Sequence, residues 1–419
     1  MKRILTLVLL LLFTFTLASC ETETPYEIDC EQYPTHVDCL VDPDPDPDPD
    51  PEPIVCVDGL TLIQGECVSL VTEDYLEIYY LNDFHGAITP DGDRMGLAYI
   101  ANLINTKRIA NPDNVLFVVG GDILQGSALS NYYAGLSTIN LLNEMGLDAF
   151  TIGNHEFDWG LDVIQSYADG NLENGEADFP FLGANIFLEG TMDMPTGIDP
   201  YTIVEKGEHK IGIIGTIGFG LERSIAESKV SGFDFGDPMT QIEFYAHYLR
   251  TVESCDVVIV VAHDGGGINS AVSELTGDYK VDAVFNGHSH SEYANMVNGI
   301  PAMQSSAYGK YVGYVKMTFT DAGIGYEIDN FNKYADPLLY ETDAATQALI
   351  DQYELESGDL FNTPIITSGE YLSSSDLSVW IAKLMRTATN ADVAFHNYGG
   401  TRTSIDDNVS INLGVLYGV

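Results

Sequence analysis

The stretch Gly153-Asn154-His155-Glu156-Phe157-Asp158-Trp159-Gly160 follows directly on the apolar run Ala149–Ile152. An apolar run that halts at a glycine and then sets down an amide, an imidazole and two carboxylates reads as a buried strand delivering polar groups at its carboxyl end. The same punctuation recurs along the chain. Asn82-Asp83-Phe84-His85 follows Leu76–Leu81, Gly120-Gly121-Asp122 follows Val115–Val119, and Ala262-His263-Asp264 follows Val257–Val261. Gly287-His288 and Ser289-His290 follow Val281–Phe285.

Between these strands, and a further run at Ile211–Ile214, lie helical patterns at Leu97–Ile109, Ser137–Glu144 and Met239–Val252. Alternation of near-continuous apolar strands with helices predicts α/β architecture with a sheet buried on both faces. Ligand groups then gather at the carboxyl ends of the strands. Tyr311–Thr318 and Gly325–Ile328 suggest a second sheet segment, and Thr342–Glu354 a linking helix. A new unit begins near Ile365, with a helix over Asp376–Thr389, an apolar strand over Ala391–Phe395 and then a glycine-rich loop.

Hard oxygen ligands mixed with imidazoles suit a pair of divalent cations, and such pairs hydrolyse phosphate esters. The ligand shared by the two ions ought to be a carboxylate, whose two oxygens can face both, and Asp122, behind two glycines that permit close backbone approach, fits that role. One metal then takes Asp83, His85, Asp122 and His290. The other takes Asn154, His263, His288 and Asp122. Zinc, manganese, iron and cobalt all suit this donor set. His155 is left over. Oriented by Asp158 three residues on, it can stabilise charge on a phosphoryl oxygen or protonate a leaving group. Glu156 and Asp264 read as supporting acids, and Cys255 as a core thiol. Gly265-Gly266-Gly267 lacks the Lys-Ser/Thr of a phosphate loop and reads as a flexible turn behind His263. His36, His209, His247 and His396 have no ligand neighbours in the sequence and read as surface or packing residues.

The ends bound the setting. Met1-Lys2-Arg3, an apolar core from Ile4 to Leu17 and Leu17-Ala18-Ser19-Cys20 describe a secretory signal over 1–20. The final tetrapeptide resembles a bacterial lipobox, which implies lipidation of Cys20 and an extracytoplasmic protein anchored to the membrane by that lipid alone. A plain signal peptide with an incidental cysteine is the alternative. Residues 21–73 form a tether whose Asp42–Pro53 stretch repeats Asp-Pro, an extended and semi-rigid spacer. Its flanking Cys30, Cys39, Cys56 and Cys67 fit disulfides in an oxidising compartment, and the local pairs Cys30–Cys39 and Cys56–Cys67 are expected, with zinc binding as the alternative. A formal net charge of −46 argues against nucleic-acid polymers and anionic lipid headgroups as partners. No protein partner is legible.

Asp-x-His, Gly-Gly-Asp, Gly-Asn-His-Glu-Phe-Asp, a lone His and Gly-His-x-His, in this order, resemble the calcineurin-like metallophosphoesterases. The longer Gly153–Gly160 string is similar to the secreted bacterial 5′-nucleotidases. That resemblance implies a four-layer α/β/β/α catalytic sandwich over 74–338, a linker helix over 339–363 and an incomplete C-terminal α/β domain over 364–419. It implies the metal roles assigned above and a nucleotide or other small phosphate ester as substrate. Asn397-Tyr398-Gly399-Gly400-Thr401-Arg402 resembles the family's substrate loop, so Asn397 and Arg402 inherit a binding expectation. Ser374–Ser378 departs from the family's Glu-x-Asn-Leu-Gly signature. Three alternatives stay open: a 2′,3′-cyclic-nucleotide phosphodiesterase, a nucleotide-sugar hydrolase, and a catalytically idle surface binding protein.

Overall fold

The computed structural model describes residues 60–63, 66–69, 74–401 and 403–418. The Cys20 lipobox, the Asp-Pro tether, His36, Cys30, Cys39, Cys56 and Arg402 lie outside the described residues, as does the side chain of Cys67. Two units divide the chain at Thr72/Glu73. In the first, Leu60–Ile63 pairs antiparallel with Glu66–Ser69.

The second unit holds two large sheets. In chain order their strands are β1 (Tyr75–Leu81), β2 (Val115–Gly120), β3 (Ala149–Thr151), β4 (Phe181–Leu182), β5 (Ile198–Asp199), β6 (Tyr201–Lys206) and β7 (His209–Ile217). They continue with β8 (Val257–His263), β9 (Ala283–Asn286), β10 (Glu292–Val297), β11 (Ile300–Ser305), β12 (Val312–Thr320) and β13 (Gly323–Phe331). The first sheet runs β13-β12-β1-β2-β3-β4-β5 and is parallel from β1 to β5. The second runs β10-β11-β9-β8-β7-β6, with β7, β8, β9 and β11 parallel. The apolar runs therefore sort into two sheets rather than one. Tyr311–Thr318 belongs to neither a new sheet nor the second: β12 adds antiparallel to β1, register Val315↔Ile78.

Period-two alternation explains the layering. Ile78, Tyr80, Leu116 and Val118 point one way, against Ile213, Ile259, Val261 and Phe285 of the facing sheet. Their neighbours Tyr79, Phe117 and Val119 point the other way, onto the helices α1 (Leu97–Ala110), α2 (Leu136–Glu144) and α4 (Ala344–Asn362). On the far side, Ile214, Val258 and Val260 pack with Ile242, Ala246 and Leu249 of α3 (Pro238–Thr251). The order is helix, sheet, sheet, helix. Each buried Val, Leu or Ile contributes about 1.5–3 kcal/mol over exposure, so the two inner faces are firmly joined.

The tail is less well covered. In α5 (Ser374–Thr389), capped by the reciprocal Ser373–Asp376 box, only Leu377 is buried. The expected strand at Ala391–Phe395 is absent: these residues pair with no neighbouring strand, and Val393 and Phe395 are exposed. Apolar composition favours a strand only where an edge is available to take its N–H and C=O groups.

Candidate metal centre

All five ligand-bearing loops leave the carboxyl ends of β1, β2, β3, β8 and β9, and parallel order brings these ends to one rim. Two groups of potential ligands assemble there: Asp83, His85 and His290, and Asp122, His263 and His288. In the first, His290 Nε2 lies 3.3 Å from Asp83 Oδ1 and 3.2 Å from His85 Nε2. In the second, His263 Nε2 lies 3.1 Å from both Asp122 Oδ2 and Asn154 Oδ1, and His288 Nδ1 lies 3.0 Å from Asn154 Oδ1.

These contacts test whether cations fit. His85 Nδ1 is 2.9 Å from the Gln125 carbonyl and His263 Nδ1 is 2.8 Å from the Gly120 carbonyl. A carbonyl can only accept, so each ring carries a hydrogen on Nδ1 and turns Nε2 inward. A neutral ring then points a lone pair at another acceptor, an arrangement relieved by a shared cation or, in its absence, by a second ring proton. Neighbouring ligand atoms around an ion with bonds of about 2.1 Å sit about 3.0–3.4 Å apart, which matches the observed spacing. The donor set fits a pair of divalent ions.

Electrostatics agree. Burial opposes ionisation of Asp122, but the facing His263 outweighs it and holds the carboxyl well below the usual range. Burial likewise disfavours charge on His263, yet the Asp122 carboxylate pushes the imidazole up to about 10. Without a metal, that proton occupies the position a cation needs. Burial and the neighbouring His263 lower His288, leaving it neutral and ready to coordinate.

Backbone conformation is the feature no sequence pattern announced. Asp83, His85, Asp122, His288 and His290 all have φ between 48° and 73°. Non-glycine residues avoid this left-handed region, and it concentrates where structure forces a side chain toward a site. Two glycines make the approach possible. A Cβ on Gly121 would stand 2.7 Å from both Gly153 N and His263 Nδ1, and one on Gly287 would stand 2.6 Å from Gly120 O and His263 Nδ1.

Three supporting residues hold the loops. The buried Glu156 carboxylate accepts from the N–H groups of Asp122 (2.8 Å), Ile123 (2.9 Å) and Gly153 (2.8 Å), clamping two loops together. Burial and the nearby Asp122 push it up to about 6. Asn82 donates to Asp83 Oδ2 at 2.6 Å and to the Ser306 carbonyl at 2.7 Å. Its place beside Asp83 was the only hint in the sequence. Asp264 accepts from the Gly266 and Ile268 N–H groups and shapes the turn behind His263.

His155 Nδ1 meets Asp158 Oδ2 at 2.7 Å, and its ring centroid lies 5.2 Å from that of His85. The His155 backbone N–H donates to Asp122 Oδ1 at 2.8 Å. Cys255 is a buried free thiol. His209 pairs with Asp74 and stacks on Phe319, His247 stacks on Tyr279, and His396 meets Thr401 Oγ1 at 3.0 Å. Asn397 is exposed on its loop, and no contact among the described residues joins it to the ligand groups.

A family model described as calcineurin-like phosphoesterase matches residues 76–292. Among curated proteins, a 5′-nucleotidase from Naja atra venom is 30% identical over 280 residues, covering 59% of this chain and 51% of its own. Endonuclease YhcR of Bacillus subtilis is 26% identical over 387 residues, covering 82% of this chain and 31% of its own. The chain thus spans about a third to a half of these relatives. A solved 5′-nucleotidase precursor from Thermus thermophilus superposes with a TM-score of 0.69 at 22% identity, covering 83% of this chain and 73% of that one.

Proposed function

The chain belongs to the calcineurin-like phosphoesterase family, and from that premise we propose a dinuclear-metal phosphohydrolase that releases phosphate from nucleoside 5′-monophosphates. The convergence of Asp83, His85 and His290 with Asp122, His263 and His288 on one rim carries this reading. Asp83, His85, Asp122 and His290 would hold one ion, and Asp122, Asn154, His263 and His288 the other. Bound there, two divalent ions supply Lewis-acid polarisation of the phosphoryl group and ready deprotonation of water.

The chain's own residues supply the rest. Asp158 accepts from His155 Nδ1, so in the protonated ring the second hydrogen, on Nε2, is the one free to act. From that position His155 donates to a phosphoryl oxygen or to the departing alcohol. Glu156 and Asn82 keep the ligand loops in register. Asn397 and Arg402 are proposed to contact substrate. The nucleotide assignment leans on the relatives' names, and the extracytoplasmic, lipid-anchored location on the Met1–Cys20 pattern. No helix among the described residues is long and apolar enough to cross a membrane.

The test is phosphate release by the metal-loaded protein from 5′-monophosphates, 2′,3′-cyclic nucleotides and nucleotide sugars. Preferred turnover of the 5′-monophosphate supports the assignment. Preference for either other class transfers the site to that substrate, and no turnover of any with manganese, zinc, cobalt or iron removes the hydrolase reading.

A further inference from the structure

A cavity of about 360 Å³, lined by none of the candidate metal ligands, includes Arg94, Tyr99, Lys333, Tyr334 and Tyr340 in its lining and, among the described residues, no carboxylate. That is unexpected in a chain with 63 acidic and 17 basic residues. The neighbouring cavities along α4 are both lined by Glu354.

Arg94 is half-buried, and no carboxylate among the described residues pairs with its guanidinium. Its carbon sits 4.6 Å over the Tyr308 ring, a cation–aromatic contact that fixes the charge without neutralising it. Tyr308 in turn packs 5.2 Å from His85 and 5.5 Å from His290, so a single ring separates Arg94 from the ligand imidazoles. Tyr308 adopts φ 59°, and its N–H donates to the Asp83 carbonyl at 2.8 Å. A bulky residue held in that region reflects a fold that fixes the ring where it stands. Lys333 approaches from the other strand-end loop, bonded to the Gly92 carbonyl and 5.3 Å from the Tyr334 ring centre. Two acids share this loop: Asp91 pairs with Arg94 through backbone hydrogen bonds, and the Asp93 carboxylate is engaged by Lys310 at 3.1 Å.

We propose that this cavity is a subsite for a second anionic group of the substrate, held by Arg94 and Lys333 while the phosphate under attack lies at the metal centre. The inference rests on the hydrolase reading and adds a preference: phosphate esters carrying a further phosphoryl or carboxylate group. Forked, charge-assisted bonds from Arg94 would set the distance between the two anions. The tyrosines would wall the remainder of the molecule.

Three substrates separate the outcomes: 4-nitrophenyl phosphate and a nucleoside 5′-monophosphate, with one anionic group each, and a nucleoside 5′-diphosphate. Arg94→Gln and Lys333→Gln are each expected to raise KM for the diphosphate about tenfold or more, with kcat/KM on 4-nitrophenyl phosphate within about twofold of wild type. A second readout needs no turnover. Calorimetric titration with methylenediphosphonate and methylphosphonate should show the wild-type preference for the former shrink about tenfold in Arg94→Gln, at equal metal content. Equal losses on all three substrates, or no change in that preference, overturns the subsite. Absence of 4-nitrophenyl phosphate hydrolysis by the wild type instead strikes the hydrolase reading itself, and the phosphonate titration still decides the subsite.

Discussion

At the scale of single residues, the roles proposed for His155 and Asp122 can be told apart. Asp122 stands with His263 and His288, 3.1 Å from His263 Nε2, whereas His155 meets Asp158, packs on His85 and donates its backbone N–H to Asp122 Oδ1. His155→Ala should therefore lower kcat by about 10²-fold or more with two metals retained, while Asp122→Ala loses metal as well. Metal analysis beside steady-state kinetics distinguishes the two, and full activity in both variants would sink the assignment. The Asp122–His263 pair also predicts a pH dependence. The raised His263, near 10, is protonated in the metal-free protein at neutral pH. That proton stabilises the metal-free fold fully below the ordinary imidazole value of about 6.5, and the contribution fades as pH rises through about 10. A cation must displace it, so metal affinity should climb by up to about tenfold per pH unit between pH 6 and 8. Flat affinity over that range, by competitive chelator titration, would show that His263 holds no such proton.

At the scale of elements, the strand-end loops carry the strain. Gly287, after β9, has no room for a side chain against Gly120 O and His263 Nδ1. Gly287→Ala should cost about 1–3 kcal/mol and reduce metal stoichiometry, because the clash falls on rigid backbone and on a ligand ring. Gly325→Ala, where the nearest atom is 3.8 Å away and φ is ordinary, is the matched control. Urea midpoints and metal content decide; equal behaviour of the two variants would mean the loops yield freely. The strands and the candidate ligands at their ends were legible because apolar runs ended in Asp, Asn and His. The strand expected at Ala391–Phe395 failed because pattern alone offered no partner edge.

At the scale of the molecule, the charge of −46 sets a field that repels phosphate esters everywhere except where cations reverse it. Salt screens that repulsion, so KM for a nucleoside monophosphate should fall as sodium chloride rises from about 20 to 500 mM, with kcat little changed. A KM that climbs steadily with salt would mean the local positive field of the metals and Arg94 governs approach instead. The whole-chain charge could be read directly from composition. Its local reversal could not, since Arg94, Tyr308 and Lys333 are scattered over more than two hundred positions and share no motif.

The sequence alone determined the strand–ligand alternation, the identity of the ligand types and their order, because hydrophobic period and side-chain chemistry are local properties. The tertiary structure decided that the strands divide between two facing sheets and that their ends meet on one rim. It also decided that five candidate ligands sit in left-handed backbone and that Glu156 bridges two loops. Those facts depend on which strand lies beside which, and on the space that neighbours leave, both fixed by contacts between residues far apart in the chain.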